Sequence, residues 1–179
     1  MKDTRIAVRY AKALFDLSKE QNLLEQVNID MQFVSDVCTK NKDFRGVLAS
    51  PVIKANKKIS IFKEIFSDRI SKMSLGFLNI IMKKRRENNI VSITSQFAKI
   101  YNEYKDIEIA YVTSPIPLDE SQKLTLIEVI KKKSQKSVKL IEKIDPEIIG
   151  GFILNFGGNI YDSSIKDKAK MVERELVSF

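Results

Sequence analysis

The sequence predicts an α+β protein: an N-terminal antiparallel bundle of about six helices, followed by a small α/β domain with a short mixed sheet. Three observations carry that expectation. Apolar residues recur with a period near 3.6 through the first hundred positions, with almost no strand signal. The period then changes to strict alternation at Ile107, Ile109, Tyr111 and Thr113. Finally, two apolar strands within 152–162 meet at Gly157-Gly158-Asn159 and lead into a helical run from Ser164 to Leu176. The change of period near Asp106 divides the chain into a domain over 1–105 and another over 106–179.

In the first domain, Ile6, Tyr10, Ala13, Leu14 and Leu17 line one face of a first helix. Asn22 with Glu25 three residues on reads as a capping box, and Val27, Met31, Val34 and Cys38 continue the stripe of a second helix. A short helix over Asp43 to Leu48 stops at Ser50-Pro51, because a residue before proline disfavours α geometry. Ile59, Phe62, Ile65 and Phe66 mark a fourth helix, and Phe77, Ile80 and Ile81, entered from Ser71, a fifth. Asn89 is placed to cap a sixth, whose stripe is Ile90, Ile93, Phe97, Ile100, Tyr101 and Tyr104. Short connections between such helices imply an antiparallel bundle.

In the second domain, Pro115 and Pro117 end the first strand. Asp119 caps a helix carrying Leu124, Ile127 and Ile130, and Val138 to Ile141 form a second strand. Gly157 and Gly158 take positive φ cheaply, as a tight hairpin requires. Gly150 and Gly151 fall inside or at the start of a strand, where glycine marks a bulge or a close backbone approach. Asp145 precedes Pro146 and sets a turn, Asp162 caps the last helix, and Ile165, Ala169, Val172 and Leu176 form that helix's stripe.

Composition removes several kinds of chemistry. Histidine is absent and Cys38 is the single cysteine, so histidine acid–base catalysis, an internal disulfide and most zinc sites are excluded. Cys38 lies on an apolar stripe and reads as a small buried hydrophobe. No glycine run precedes Lys-Ser/Thr, so no phosphate cradle is present. Glu103, Asp106 and Glu108 cluster without a nucleophile or metal histidine beside them. No apolar stretch approaches the roughly 20 residues of a membrane span, and the start lacks the apolar core of a secretion signal. A soluble protein kept in its compartment of synthesis is expected. The net charge of +8 favours acidic partners. Lys83-Lys84-Arg85-Arg86 and Lys131-Lys132-Lys133 with Lys136 read first as solvated helix ends that complement the helix dipole; attraction to an acidic partner or to lipid head groups is the functional alternative.

Three segments in order carry a family resemblance: Arg9-Tyr10-Ala11-Lys12-Ala13-Leu14-Phe15 in the first helix; Arg86 ahead of the sixth helix with Phe97 eleven residues later; and Asp145-Pro146, Ile149-Gly150-Gly151 and Asp162-Ser163-Ser164 near the end. Over essentially its whole length the chain resembles the delta subunit of the bacterial rotary F-type ATP synthase, equivalent to the mitochondrial oligomycin-sensitivity-conferring protein. Two places depart from the family pattern: Pro115 and Pro117 within Thr113–Leu118, and Lys84-Arg85 where a polar or glycine-containing turn is common.

The resemblance implies a non-catalytic stator part without cofactor or metal, a monomer by itself within a hetero-oligomeric membrane complex. Its N-terminal bundle is expected to hold the N-terminal helices of alpha subunits, and its C-terminal domain the C-terminus of the stalk's b subunit. It would sit peripherally on the cytoplasmic face of the cell inner membrane, with no nucleic acid and no span of its own. The family's groove lies between the first and fifth helices, which points to Tyr10, Ala13 and Leu14 facing Ile80 and Ile81; Arg86, Asp145, Gly150, Gly151 and Asp162 are expected to be structural. Apolar stripes are core more often than interface, but the first and fifth helices carry apolar residues on more faces than one core contact uses. The alternative is a basic RNA-binding adaptor, whose affinity would fall by roughly one log unit per contact for each log unit of salt.

Overall fold

The computed structural model describes residues 2–50 and 52–165. The chain forms two compact units, Met1–Asn102 and Glu103–Phe179. Along the first run α1 (Lys2–Glu20), α2 (Leu24–Lys40), α3 (Lys42–Ala49), α4 (Ala55–Phe66), α5 (Lys72–Lys83), a single 3-10 turn (Glu87–Asn89) and α6 (Ile90–Tyr104). The predicted α2 stripe is the observed one: Val27, Met31, Val34 and Cys38 are all buried. Burial pushes the Cys38 thiol up to about 11, which keeps it neutral. Phe62 stacks on Phe66 with ring centroids 4.3 Å apart, and Phe44 packs against both. From α6, Ile90, Ile93, Phe97 and Tyr101 close the core, while Tyr104, expected on the same stripe, is exposed. Asn89 ends the 3-10 turn that leads directly into α6.

One helix end differs from the sequence reading. Asn22 does not cap α2: it has φ 57°, its N–H reaches Lys19 O at 3.1 Å, and the Leu23 N–H reaches Ser18 O at 2.8 Å. These are the paired bonds of a left-handed C-terminal closure, so Asn22 ends α1. Asparagine tolerates left-handed geometry better than most residues, and that preference won over the capping box. Glu25 instead accepts a hydrogen bond from the Tyr101 hydroxyl. The same closure ends α5: Arg85 has φ 54°, with Arg85 N–H on Met82 O (2.9 Å) and Arg86 N–H on Ile81 O (3.0 Å). Elsewhere the caps follow chemistry. Asn41 accepts from the Phe44 N–H, and α3 stops at Ser50, whose ψ of 122° is the extended geometry that a following proline imposes.

Two buried polar groups tie the helices together. Asp30 on α2 accepts from the Ser71 N–H (2.9 Å) at the start of α5 and from Gln26 Nε2 (3.0 Å). Burial alone would raise its pKa, but the hydrogen bonds from Ser71, Ser74 and Gln26 outweigh it and hold the carboxyl below the usual range. Lys58 on α4 donates to Leu48 O and to Glu87 Oε1, both at 2.6 Å, which links the end of α3 to the 3-10 turn.

The second unit contains β1 (Ile107–Ser114), α7 (Glu120–Ser134), β2 (Ser137–Ile144), β3 (Ile153–Phe156) and β4 (Asn159–Asp162) in sheet order β2-β1-β3-β4. β1 and β2 are parallel, with α7 as their crossover, and the other two pairings are antiparallel. Ala110, Val112, Leu154 and Phe156 form the inner face beneath Ile130 of α7, with Leu126 beside it. Leu124, expected on that stripe, is exposed; Leu126 and Ile130 take the sheet-facing positions. Asp119 and Gln122 form the full capping box that α7 requires. Phe156 pairs with Asn159, leaving Gly157 and Gly158 (φ 58° and 78°) as a two-residue turn. Asp145 makes its expected turn by accepting from the Glu147 N–H at 3.1 Å, and Asp162 accepts from the Ser164 N–H at 2.8 Å. The stripe positions Ala169, Val172 and Leu176 of the expected last helix lie outside the described residues.

The close-approach reading of the earlier glycine pair is the observed one. Gly151 has φ 83°, and a Cβ there would lie 2.3 Å from Ser163 O; Gly150 O accepts from the Ile165 N–H at 2.9 Å. Gly151→Ala is therefore expected to lower stability by about 2 kcal/mol or more, measured as a reduced urea midpoint. Asp30→Ala is expected to cost about 2 kcal/mol near neutral pH, because it orphans the Ser71 N–H. Since the folded carboxyl titrates below its unfolded value, the Asp30 contribution is complete above about pH 5 and fades as the pH falls through the folded value. Urea titrations from pH 7 to pH 3 should show wild type and Asp30→Ala converging at the acid end.

Candidate functional site

Helix α1 carries more apolar surface than the bundle covers. Its packed face is Ala7, Ala11, Leu14, Phe15 and Ser18, rotated from the stripe expected from sequence. Alanines at 7 and 11 let the neighbouring helices come close, and that decides which face turns inward. Ile6, Tyr10, Ala13 and Leu17 consequently lie at or outside the boundary of the core, with Leu17 42% exposed. Helix α5 divides in the same way. Ser74, Leu78, Ile81 and Met82 are buried, whereas Met73, Gly76, Phe77 and Ile80, spaced i, i+3, i+4, i+7, face outward or sit half-buried. The two outer stripes meet where Tyr10 and Phe77 pack edge to face, centroids 6.4 Å apart.

Of the five residues expected to line the groove, three stand at this surface: Tyr10 half-buried, Ala13 exposed and Ile80 53% exposed. Leu14 and Ile81 are closed inside the core at 1% and 0% exposure and support the groove from beneath. Sequence reasoning left Met73, Gly76 and Phe77 out of the groove; their i, i+3, i+4 spacing with Ile80 was the available signal. Gly76 has nothing within 4 Å of where a Cβ would stand, so α5 is bare beside Ile80. Arg9 sits over the Tyr10 ring at 5.7 Å. Arg86 is exposed beyond α5, while Asp145, Gly150, Gly151 and Asp162 belong to the second unit.

The second unit offers an apolar cleft of about 460 Å³ between α7 and β3–β4, lined by Leu126, Val129, Phe152, Phe156 and Tyr161 among others. Lys133 covers the Tyr161 ring at 4.5 Å. Of the grouped carboxylates, Glu108 has structural partners: its Oε1 accepts from the Gly157 N–H at 2.8 Å, and its Oε2 lies 3.9 Å from Lys136. Both surfaces are built to receive apolar side chains.

A model of the ATP synthase delta (OSCP) subunit family matches residues 6–176. The chain belongs to that family. Among its relatives, the ATP synthase subunit delta of Cytophaga hutchinsonii is 34% identical over 175 residues, covering 98% of this chain and 96% of the relative. The subunit delta of Lactobacillus johnsonii is 34% identical over 173 residues (96% and 94%), and the chloroplastic subunit of Porphyra purpurea 31% over 173 residues (96% and 93%). A chain in the mitochondrial ATP synthase hexamer of Toxoplasma gondii shares the fold, with TM-score 0.75 at 19% identity over 96% of this chain and 97% of that one. Membership of the delta family displaces the RNA-binding alternative. Among the described residues, no helix is long and apolar enough to cross a membrane.

Because Gly76 is exposed, helical and unobstructed, Gly76→Ala is expected to raise the stability of this delta-family chain by about 0.5–1 kcal/mol. A higher urea midpoint checks this; a lower one would mean that something contacts the bare turn in the free chain.

Proposed function

We propose that the chain is the non-catalytic stator subunit that ties the catalytic alpha/beta head of an F-type ATP synthase to the b subunit of its peripheral stalk. A rotor turning inside the head exerts an equal and opposite torque on it, and the head rotates idly unless something outside holds it. A tether with no active site meets that need by binding at two ends. The observation that carries the reading is the apolar surface shared by α1 and α5 in a chain matched to the delta family over almost its whole length. A helix-in-groove contact reads apolar anchors at i, i+3, i+4 and i+7 of the partner helix, and Tyr10, Met73, Phe77 and Ile80 offer apolar surface to receive them.

In this reading the N-terminal unit takes the amphipathic N-terminal helices of alpha subunits against Tyr10, Ala13 and Ile80, with Leu14 and Ile81 as the packed floor. The apolar cleft of the C-terminal unit supports its role as the end that grips the stalk, by taking the C-terminal segment of b. The complex lies at the membrane, and this protein would be peripheral to it, on the cytoplasmic face. Coupling then depends on the strength of two static contacts, so proton flow drives ATP synthesis only while both hold.

Ala13 tests the head contact, because it is exposed and its replacement disturbs no core packing. Ala13→Asp should cost about 0.7 kcal/mol or less in folding, as a helix-propensity effect. It should nevertheless release the alpha/beta head from b-containing membranes in a co-purification assay. Retention of the head at wild-type levels by a folded Ala13→Asp chain would refute the groove.

A further inference from the structure

The groove has a charge direction. Phe15 of α1 meets Phe97 of α6 with centroids 6.3 Å apart, and Tyr101, further along α6, bonds Glu25 just beyond the α1–α2 turn. Helix α6 thus runs parallel to α1. The 3-10 turn ahead of α6 contacts α1 and so lies at its N-terminal half. That turn directly follows the basic segment that ends α5. Arg5 and Arg9 of α1 therefore share one end of the groove with Lys83, Lys84, Arg85 and Arg86. Arg5 and all four basic-segment residues are exposed, as is Arg9. Among the described residues none of the six is in an ion pair with a carboxylate.

The row at the groove's edge changes sign along α1. Arg9, Ala13, Asp16 and Glu20 follow one another at i, i+4, i+7 and i+11, so the border beside Leu17 is acidic. Lys72, in the first turn of α5, is a cation toward that end. A helix C-terminus accounts for only about half a unit of the opposing charge at Lys83–Arg86, so most of that positive field is left over. At physiological salt such a field reaches roughly one Debye length, about 8 Å, and Lys83 is one helical turn beyond Ile80.

We propose that this field sets the direction in which the docked helix lies. The occupant is an amphipathic helix with carboxylates at the end over Lys83–Arg86 and cations toward Asp16 and Glu20. Reversed docking places like charges together at both ends. The proposal rests on the groove reading above and adds to it the polarity and charge pattern of the partner.

The test uses the full chain and a synthetic peptide spanning the amphipathic N-terminal helix of alpha, titrated calorimetrically at about 0.05 M and about 0.5 M salt. The triple variant K83E/K84E/R86E should bind about tenfold more weakly at low salt, with the difference falling to about twofold at high salt. The neutral triple K83Q/K84Q/R86Q should lose an intermediate amount, and a peptide with its carboxylates converted to amides should lose as much against wild type. All chains should keep the wild-type helical circular dichroism. Unchanged low-salt affinity of the charge-reversed chain, even if the cluster then proves to bind anionic vesicles, overturns the proposal. If that happens while Ala13→Asp still abolishes binding, the groove stands and only its polarity falls. If Ala13→Asp also binds like wild type, the groove reading itself has failed.

Discussion

Only one side of a bundle helix can face the core, and α1 has apolar side chains on more than one. Ala7 and Ala11 settle which side turns inward, because small residues allow the closest approach of neighbouring helices. Leu14 and Phe15 follow them into the core, and Tyr10, Ala13 and Leu17 are left at the edge. The docking surface proposed for the N-terminal unit follows from that choice. Were the helix rotated by a third of a turn, the outer stripe would be core and α5 would have nothing beside Phe77 with which to build a groove. The apolar area left uncovered costs solvation in the isolated chain, and that cost is recovered only when a partner covers it.

A groove formed by two helices is useful only if they are held in register, and here the contacts are polar. The Asp30 carboxylate fixes the first turn of α5 to α2, and the Lys58–Glu87 pair fixes the 3-10 turn to α3 and α4. Asp30 and Lys58 are buried but partnered, and removing either partner leaves a buried polar group unsatisfied, which costs about 1–3 kcal/mol or more where the group is charged. These bonds are directional where apolar packing is not. Stiffness is the property a tether needs, since a compliant joint would store rotor torque as deformation before passing it on.

Much of the architecture was legible in the sequence, because long periodic segments are governed by burial. The α2 stripe, the α7 cap, the Gly157–Gly158 hairpin and the close approach at Gly151 all follow from single physical rules that nothing contested. The misreadings fall where two rules compete. Asn22 satisfies both a helix start and a left-handed helix end, and the tertiary bond between Glu25 and Tyr101 removes Glu25 from the first option. Leu124 fits a helical stripe as well as Leu126 does, but the sheet beneath selects the latter. The outward face of α5 shows the same limit. Phe77 and Ile80 read equally as core or as groove until Leu78 and Ile81 are seen to fill the interior. Family likeness points to α1 and α5 for the proposed groove, while the separation of floor from rim depends on how those helices are rotated in the bundle.

In the function proposed above, the outer stripes of α1 and α5 form one recognition surface. Side-chain methyl and aromatic NMR of the full chain, recorded as a peptide of alpha's N-terminal helix is added, tests it most directly. Progressive shifts at Ala13, Leu17, Met73, Phe77 and Ile80 and at the Tyr10 ring, with Val27, Val34 and the β-sheet methyls unmoved, are the predicted result. Shifts confined to other surfaces, with these six signals unchanged at saturation, would place the partner elsewhere on the protein.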